Sequence, residues 1–581
     1  MIEDRSMCKF ERPGGATDPI GLFIVSPTKV RRLVLLMLVI LSVCQLMQAG
    51  GRTLLGTVRD RHRGTPITSA GIQVFDRSGL VLTTTTTNAQ GQWQVTIPVV
   101  GIADQGELPR TFSLEQNYPN PFNPSTKIPF TAAKPGNVRI TVYNILGQLV
   151  DAKEYSLPAG SYTVDWKAKG SAGVLFYSVE MGGERLTKKM VQLDRGNSIG
   201  LGNLSVMSSR VSYSLASGFA TDSCRIVASS LVYEPDTLAV AFIDSARADF
   251  MLESVHDRAF VIDLHNDVME VISGSNFSYQ LSDRHTLTRN GDPQTDIPRY
   301  RDGGVDGQIF SIWISPTTYS ASTYFSTAMK FLDTLKAQAN RNKNDMGLVV
   351  RADSVDSLSR QKKIAGIVVV EGGHCIEDKL ENLFAFYDAG VRVMTITWNN
   401  STSWAVSAQD SRADNVGLSD FGKQVIRKMD SLGMIIDISH VGRKTVDDIL
   451  VTSKNPIIAS HSGAAALRNH YRNLTDAQIR ALAQRGGVIG VVFYPTFLVS
   501  SGTARLENVL QHIDYIKNLV GIDYVALGSD FDGIETTPVG LEDVTKFPAI
   551  TEALLQKGYS RQDVRKILGE NFMRVFRTVC K

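Results

Sequence analysis

Phe260-Val261-Ile262-Asp263-Leu264-His265-Asn266-Asp267 is an apolar run that closes on a histidine and an aspartate two residues apart. An apolar stretch of this length reads as a buried strand. In an extended segment, side chains at i and i+2 leave on the same face. An imidazole and a carboxylate therefore emerge together at the strand end, a pair suited to a divalent metal. Alone, His-x-Asp is a weak signal, so its reading depends on whether other ligands converge on it.

Downstream of His256, apolar strands alternate with amphipathic helices, the pattern of a parallel sheet covered by helices. Strands are predicted at 260–264, 308–312, 364–370, 393–397, 434–438, 457–460, 488–492 and 524–527. Helices are predicted at 327–340, 379–389, 420–432, 444–452, 476–485, 506–519, 541–556 and 561–579. Eight such units between 256 and 581 fit a TIM-type (β/α)₈ barrel, whose site lies at the C-terminal ends of the strands. Those ends carry His265 and Asp267, Glu371-Gly372-Gly373-His374, Ser439-His440, Ser460-His461 and Gly528-Ser529-Asp530-Phe531-Asp532-Gly533. The chain has only nine histidines, and four of them fall at these ends. Three imidazoles and two carboxylates exceed one closed zinc site and suit two neighbouring ions sharing a carboxylate. In this reading Glu371 bridges, His265 and Asp267 complete one site, and His440 and His461 complete the other. Two metals polarise a carbonyl and lower the pKa of a trapped water. Asp530 is placed to take its proton. His374 is read as support for Glu371, and Asp532 as structural.

The rest of the chain is organised differently. At 581 residues, several domains are expected. A formal charge of +3 gives no case for nucleic acid, and 43% hydrophobic residues are ample for a core. Five cysteines without a CxxC pair argue against a zinc knuckle or disulfide scaffold. Lys29-Val30-Arg31-Arg32, an apolar run over 33–44 and Met47-Gln48-Ala49 follow the order of a secretory signal. Residues 1–49 are thus read as a signal peptide or N-terminal anchor, and the chain as exported. Short strands with Gly, Asn and Asp turns over 51–103 suggest a β-sandwich, which resembles the carboxypeptidase-regulatory-like module. Residues 107–194 carry Asn117-Tyr118-Pro119-Asn120-Pro121-Phe122-Asn123-Pro124, Val142-Tyr143-Asn144-Ile145-Leu146-Gly147-Gln148 and Gly173-Val174-Leu175-Phe176-Tyr177. This resembles the Ig-like module of type IX secretion sorting domains and flagellar hook-capping proteins. Such a module usually ends a chain; here it is internal, and a spacer or surface-attachment role is expected. Residues 195–255 read as a further β-rich module or linker, with strands at 224–229 and 237–243. Sequence leaves open whether the Ig-like module is inserted within one parent sandwich.

Residues 256–581 resemble the membrane (renal) dipeptidase family of metal-dependent amidohydrolases. The stretches that carry the resemblance are Asp263-Leu264-His265-Asn266-Asp267, Asp296-Ile297-Pro298-Arg299-Tyr300-Arg301-Asp302-Gly303-Gly304-Val305, Glu371-Gly372-Gly373-His374, Ile436-Asp437-Ile438-Ser439-His440, Ser460-His461-Ser462, Tyr471-Arg472-Asn473-Leu474 and Gly528-Ser529-Asp530-Phe531-Asp532-Gly533. The resemblance implies a barrel with two zinc ions that hydrolyses dipeptides, including those with a C-terminal D-residue, through metal-bound hydroxide. It also implies that Arg472 holds the substrate carboxylate, as a guanidinium can through paired hydrogen bonds. One departure stands out. The resemblance implies, as in the founding dipeptidases, a histidine after the fourth strand in a Thr-Leu-Thr-His context that polarises the substrate carbonyl. Here the stretch is Thr395-Ile396-Thr397-Trp398-Asn399, and Trp398 is read as a pocket wall. Two alternatives stand beside the dipeptidase: an amidohydrolase of N-acyl amino acids or lactams, raised by Trp398, and a surface adhesion or scaffold protein with an inactive barrel, raised by the stacked β-modules. Dipeptides are the expected partners, with surface attachment through the β-modules and a homodimer as further expectations.

Overall fold

The computed structural model describes residues 52–77, 79–97, 111–122, 125–170, 172–193, 196–206, 223–285 and 293–581. The predicted signal segment lies outside them. Among the described residues no helix is long and apolar enough to cross a membrane.

Strand Arg52–Asp60 turns Leu54, Gly56, Val58 and Asp60 inward. It pairs antiparallel with Gln92–Ile97, and in parallel with Ala246–Arg247 and Phe250–Leu252. A facing sheet runs in the order Asp236–Ala241, Ser223–Ser229, Gly71–Phe75, Val81–Thr86. Leu54, Val58, Ile72, Trp93, Ile226 and Phe250 fill the space between the sheets. The segments before and after the Ig-like module thus form a single sandwich, and that module is an insertion within it. The stretch 195–255, read from the sequence as a β-rich module or linker, divides between the two units. Gly196–Val206 pairs with Gly160–Gly170 and belongs to the inserted module, whereas 223–252 completes the outer sandwich. Periodicity alone could not show this, because it reveals which face of a strand is buried but not its partner.

The inserted module packs Glu184–Gln192, Gly173–Met181, Gly136–Asn144 and Leu149–Leu157 against Gly196–Val206, Gly160–Gly170, Ser125–Ala132 and Ser113–Leu114. Phe122, Phe130, Trp166 and Tyr177 anchor its core.

The C-terminal unit is a parallel barrel. Its eight strands are Ile262–Asn266, Gly307–Trp313, Ile364–Glu371, Val393–Thr395, Ile435–Asp437, Ile458–Ser462, Val488–Val491 and Val525–Leu527, each beside the next in chain order. The short strand Met346–Leu348 pairs outside the ring with the third. All eight predicted strands are present, shifted by up to two residues at their ends. Helix Asp420–Leu432 spans the residues expected, started by the Ser419 hydroxyl accepting from Gly422 N and ended by Gly433 at φ +75°. No run of ladder pairs joins the eighth strand to the first. That seam is closed by a single bridge, Asn266 to Phe531. The sandwich is tied to the barrel by Arg561, which donates to the Tyr233 carbonyl at 2.8 Å, and by the Arg565–Glu234 ion pair at 2.6 Å.

Candidate metal centre

His265 is the residue before last of the first strand, Ile262–Asn266, and is fully buried. Its Nε2 is 3.3 Å from Asp267 Oδ2, 3.5 Å from Glu371 Oε2 and 4.0 Å from Asp530 Oδ1. The other oxygen of Glu371, Oε1, lies 3.0 Å from His440 Nε2 and 3.8 Å from His461 Nε2. The two oxygens of one carboxylate therefore face two different sets of partners. Ser311 Oγ donates to Oε2 at 3.2 Å. Among the described residues three clusters have ligand atoms within 4.8 Å of one another: His265/Asp267/Glu371, Glu371/His440/His461 and His265/His461/Asp530. The six residues expected as ligands and catalytic carboxylates thus all meet at the C-terminal rim.

The electrostatics call for cations. Asp267, Glu371 and Asp530 are all buried, and the Arg472 guanidinium acts on Asp530 and Glu371. Burial opposes a charge on His265, but the Glu371 and Asp267 carboxylates outweigh it and hold its pKa well above the ordinary value. Burial also opposes the Glu371 anion, yet His265 and His440 hold it well below the usual carboxylate range. Asp530 is pushed well above that range by burial, with Asp267 and Glu371 adding to the effect. Burial and Arg472 lower His440 to about 4. His461 is lowered as well, by burial, His265 and Arg472. Both are neutral imidazoles near pH 7, the state that ligates metals. Both nitrogens of His265 and Oδ1 of Asp267 are buried without a hydrogen-bond partner. Unpaired buried polar atoms in a site of this donor type fit a bound divalent ion.

His440 Nδ1 lies 2.9 Å from Asn399 Oδ1, which leaves Nε2 free of a proton and facing Glu371. Asn399 follows Trp398. The Trp398 ring sits 4.8 Å from that of Trp313 and 6.2 Å from that of His440. The Trp313 and Trp398 rings thus form an aromatic face next to the His440 ring. Arg472 is buried, with Nη2 3.4 Å from the His461 carbonyl and with Nε and Nη1 free of partners. Burial lowers its pKa, and Asp530 and Glu371 partly restore it. It stacks over Phe497 at 5.3 Å.

Two expectations for neighbouring residues separate here. Asp532 accepts from the Gln294 backbone N–H at 2.5 Å and from the Thr295 hydroxyl, a structural role. His374, expected to support Glu371, instead places Nε2 2.9 Å from the Ile314 carbonyl. Gly372, at φ +100°, turns the chain between Glu371 and His374 and directs the two side chains differently. His440 and Asp530 themselves adopt left-handed backbone, at φ 65° and 66°. Such conformations cost energy for residues with a Cβ and cluster at functional sites.

A parallel barrel with three imidazoles and three carboxylates gathered at its C-terminal rim is the arrangement of a metal-dependent hydrolase. Residues 251–581 match the family model for membrane dipeptidases, peptidase family M19, and the chain belongs to that family. Dipeptidase 3 of Rattus norvegicus is 33% identical over 325 residues, 55% of this chain; the chain spans 65% of that relative's length. A metallopeptidase from Rhodobacter sphaeroides, solved with a phosphinate mimic of the dipeptide L-Ala-D-Ala, is 26% identical with a TM-score of 0.52. That match covers 55% of this chain and 99% of the other. A solved dipeptidase of family M19 is 27% identical with a TM-score of 0.51, covering 56% of this chain and 99% of its own. Residues 116–192 match the secretion system C-terminal sorting domain, which implies export and association with the cell surface.

Proposed function

We propose that this protein is an exported dipeptidase that works with two zinc ions, held by His265, Asp267, Glu371, His440 and His461. Its substrates would include dipeptides with a C-terminal D-residue. The observation that carries the reading is the split of Glu371, with Oε2 toward His265 and Oε1 toward His440 and His461. Asp267 completes the first set. When bound, a pair of divalent ions polarises the scissile carbonyl and lowers the pKa of a water in the site. Asp530 accepts the proton of the attacking water and delivers it to the leaving amine, a task suited to a carboxyl whose pKa burial has raised. Arg472 offers Nε and Nη1 to the substrate carboxylate, which fixes the peptide in register. Trp398 and Trp313 line the wall.

Metal analysis of the purified protein, followed by a substrate panel, tests this. Two equivalents of metal and chelator-sensitive turnover of L-Ala-D-Ala are expected. Chelator-resistant turnover, or a protein that takes up no metal, would refute it. A second reading is favoured by Trp398 alone: an indole where the resemblance to the founding dipeptidases implies a histidine, which shifts the preference toward N-acyl amino acids or lactams. Faster turnover of N-acetyl amino acids or of a penem than of any dipeptide would select it.

A further inference from the structure

The fifth strand ends on Asp437, whose carboxylate is fully buried. It accepts from the Thr395 hydroxyl at 2.7 Å, the Ser439 N–H at 3.0 Å, the Ser460 N–H at 2.8 Å and the Ser460 hydroxyl at 2.6 Å. An ionised carboxylate only accepts, and a serine hydroxyl has a single hydrogen. With that hydrogen given to Asp437, Ser460 Oγ can only accept from its two other neighbours, His461 Nδ1 at 2.8 Å and Ser439 Oγ at 3.3 Å. His461 therefore carries its proton on Nδ1 and turns a bare Nε2 toward Glu371 and His440.

The same arrangement recurs across the barrel. Asp263, buried in the first strand, accepts the Ser529 N–H at 2.7 Å and the Ser529 hydroxyl at 2.6 Å. In both cases the residue after the serine belongs to the site: His461 in one, Asp530 in the other. In both cases the seam is one that strand pairing leaves open. The fifth and sixth strands share one register pair, Asp437 with Ile458, and the eighth and first share none, the Asn266–Phe531 bridge lying past the end of the eighth. Packing fixes the serine backbone as well. A Cβ on Gly528 would lie 1.8 Å from the Ser460 carbonyl oxygen, and one on Gly490 2.0 Å from it.

We propose that Asp437 and Ser460 act as one unit that positions His461, and that Asp263 and Ser529 do the same for Asp530. Each aspartate–serine clasp stands in for missing ladder bonds and aims the next side chain into the site. The proposal rests on the two-metal reading given above.

Zinc stoichiometry and chelator competition on the full chain test it, with the barrel's thermal transition recorded alongside. For Ser460→Ala, one of two zinc equivalents should bind about 10- to 100-fold more weakly. The other equivalent should hold its affinity, and the thermal midpoint should stay within a few degrees. Asp437→Asn should do the same, and the double variant should be no worse than Asp437→Asn alone, because the two residues act through one path. Ser529→Ala should keep both equivalents and lose about tenfold or more in kcat, with KM for L-Ala-D-Ala little changed. If Asp437→Asn does not fold, Ser460→Ala decides. Wild-type protein that binds two zinc ions, with Ser460→Ala binding both as tightly, overturns the proposal and spares the two-metal reading. Wild-type protein that binds none overturns both.

Discussion

His440 Nε2 and His461 Nε2 face each other at 3.0 Å beside one oxygen of Glu371. The Nδ1 atom of each ring is engaged on its far side, by Asn399 and by Ser460 respectively. Two neutral rings held this way oppose their lone pairs, and a cation between them relieves the repulsion. Removing metal should therefore destabilise the barrel as well as stop turnover. Dialysis against a chelator is expected to lower its thermal transition by several degrees, and zinc should restore it. Saturation to 1,000 Kd is worth about 4 kcal/mol by linkage. An unchanged transition, measured by calorimetry, would speak against metal at this pair.

Asp530 is the only carboxylate of the cluster assigned to proton handling. Asp530→Asn keeps the shape and removes the base. We expect two metal equivalents to remain and kcat to fall by roughly 10²- to 10⁴-fold. Loss of a metal equivalent in this variant would reassign Asp530 as a ligand, through its cluster with His265 and His461.

Arg472 has two nitrogens without partners in a buried setting. Replacing it by lysine keeps a charge but loses the planar fork. Arg472→Lys should raise KM for dipeptides by about tenfold or more while metal content stays at two. A dipeptide amide, which lacks the carboxylate, should not discriminate between variant and wild type. Equal KM values for the free dipeptide would remove Arg472 from the substrate site.

Trp398 touches Trp313 and His440 through its ring. Trp398→His installs the imidazole that the resemblance to the founding dipeptidases implies at this place. The ratio of kcat/KM for L-Ala-D-Ala over that for an N-acetyl amino acid should rise, without change in metal content. A ratio that does not move would exclude this residue from substrate choice.

His512 lies outside the centre but braces it. Its Nδ1 accepts the Ala464 N–H at 3.0 Å, which holds the loop running from His461 to Arg472. Burial lowers its pKa to about 4. Between that value and the ordinary value near 6.5, the unfolded chain binds a proton that the folded chain refuses. The contribution to stability is complete above about 6.5 and is lost as pH falls toward about 4, by up to about 3 kcal/mol. Denaturant melts at pH 5 and pH 7 should show a smaller difference for His512→Gln than for wild type.

Most of the centre is legible in the sequence, because metal chemistry restricts residue type and a barrel restricts place. His265, Asp267, Glu371, His440, His461 and Asp530 each stand at the end of an apolar run, which is visible without coordinates. Helices with a full apolar stripe, such as Asp420–Leu432, are equally plain. What the sequence conceals is pairing. Nothing in the 196–206 segment distinguishes the strand that joins Gly160–Gly170 from one that would join the outer sandwich. Ser460 and Ser529 look like ordinary serines until Asp437 and Asp263 are seen against them. His374 misleads because its closeness in sequence to Glu371 is undone by the turn at Gly372.

In the outer sandwich, Val58 is registered with Phe250, and Arg59 with Met251. Strand Arg52–Asp60 meets Gln92–Ile97 early, but its parallel partner Phe250–Leu252 emerges only nearly two hundred residues after it. The inserted unit has all its own strands by then and can be complete while the host around it is still half made. Contacts so distant along the chain form slowly. Maturation therefore has a built-in sequence of events, in which the guest unit is finished first and its host closes only as the barrel begins to emerge.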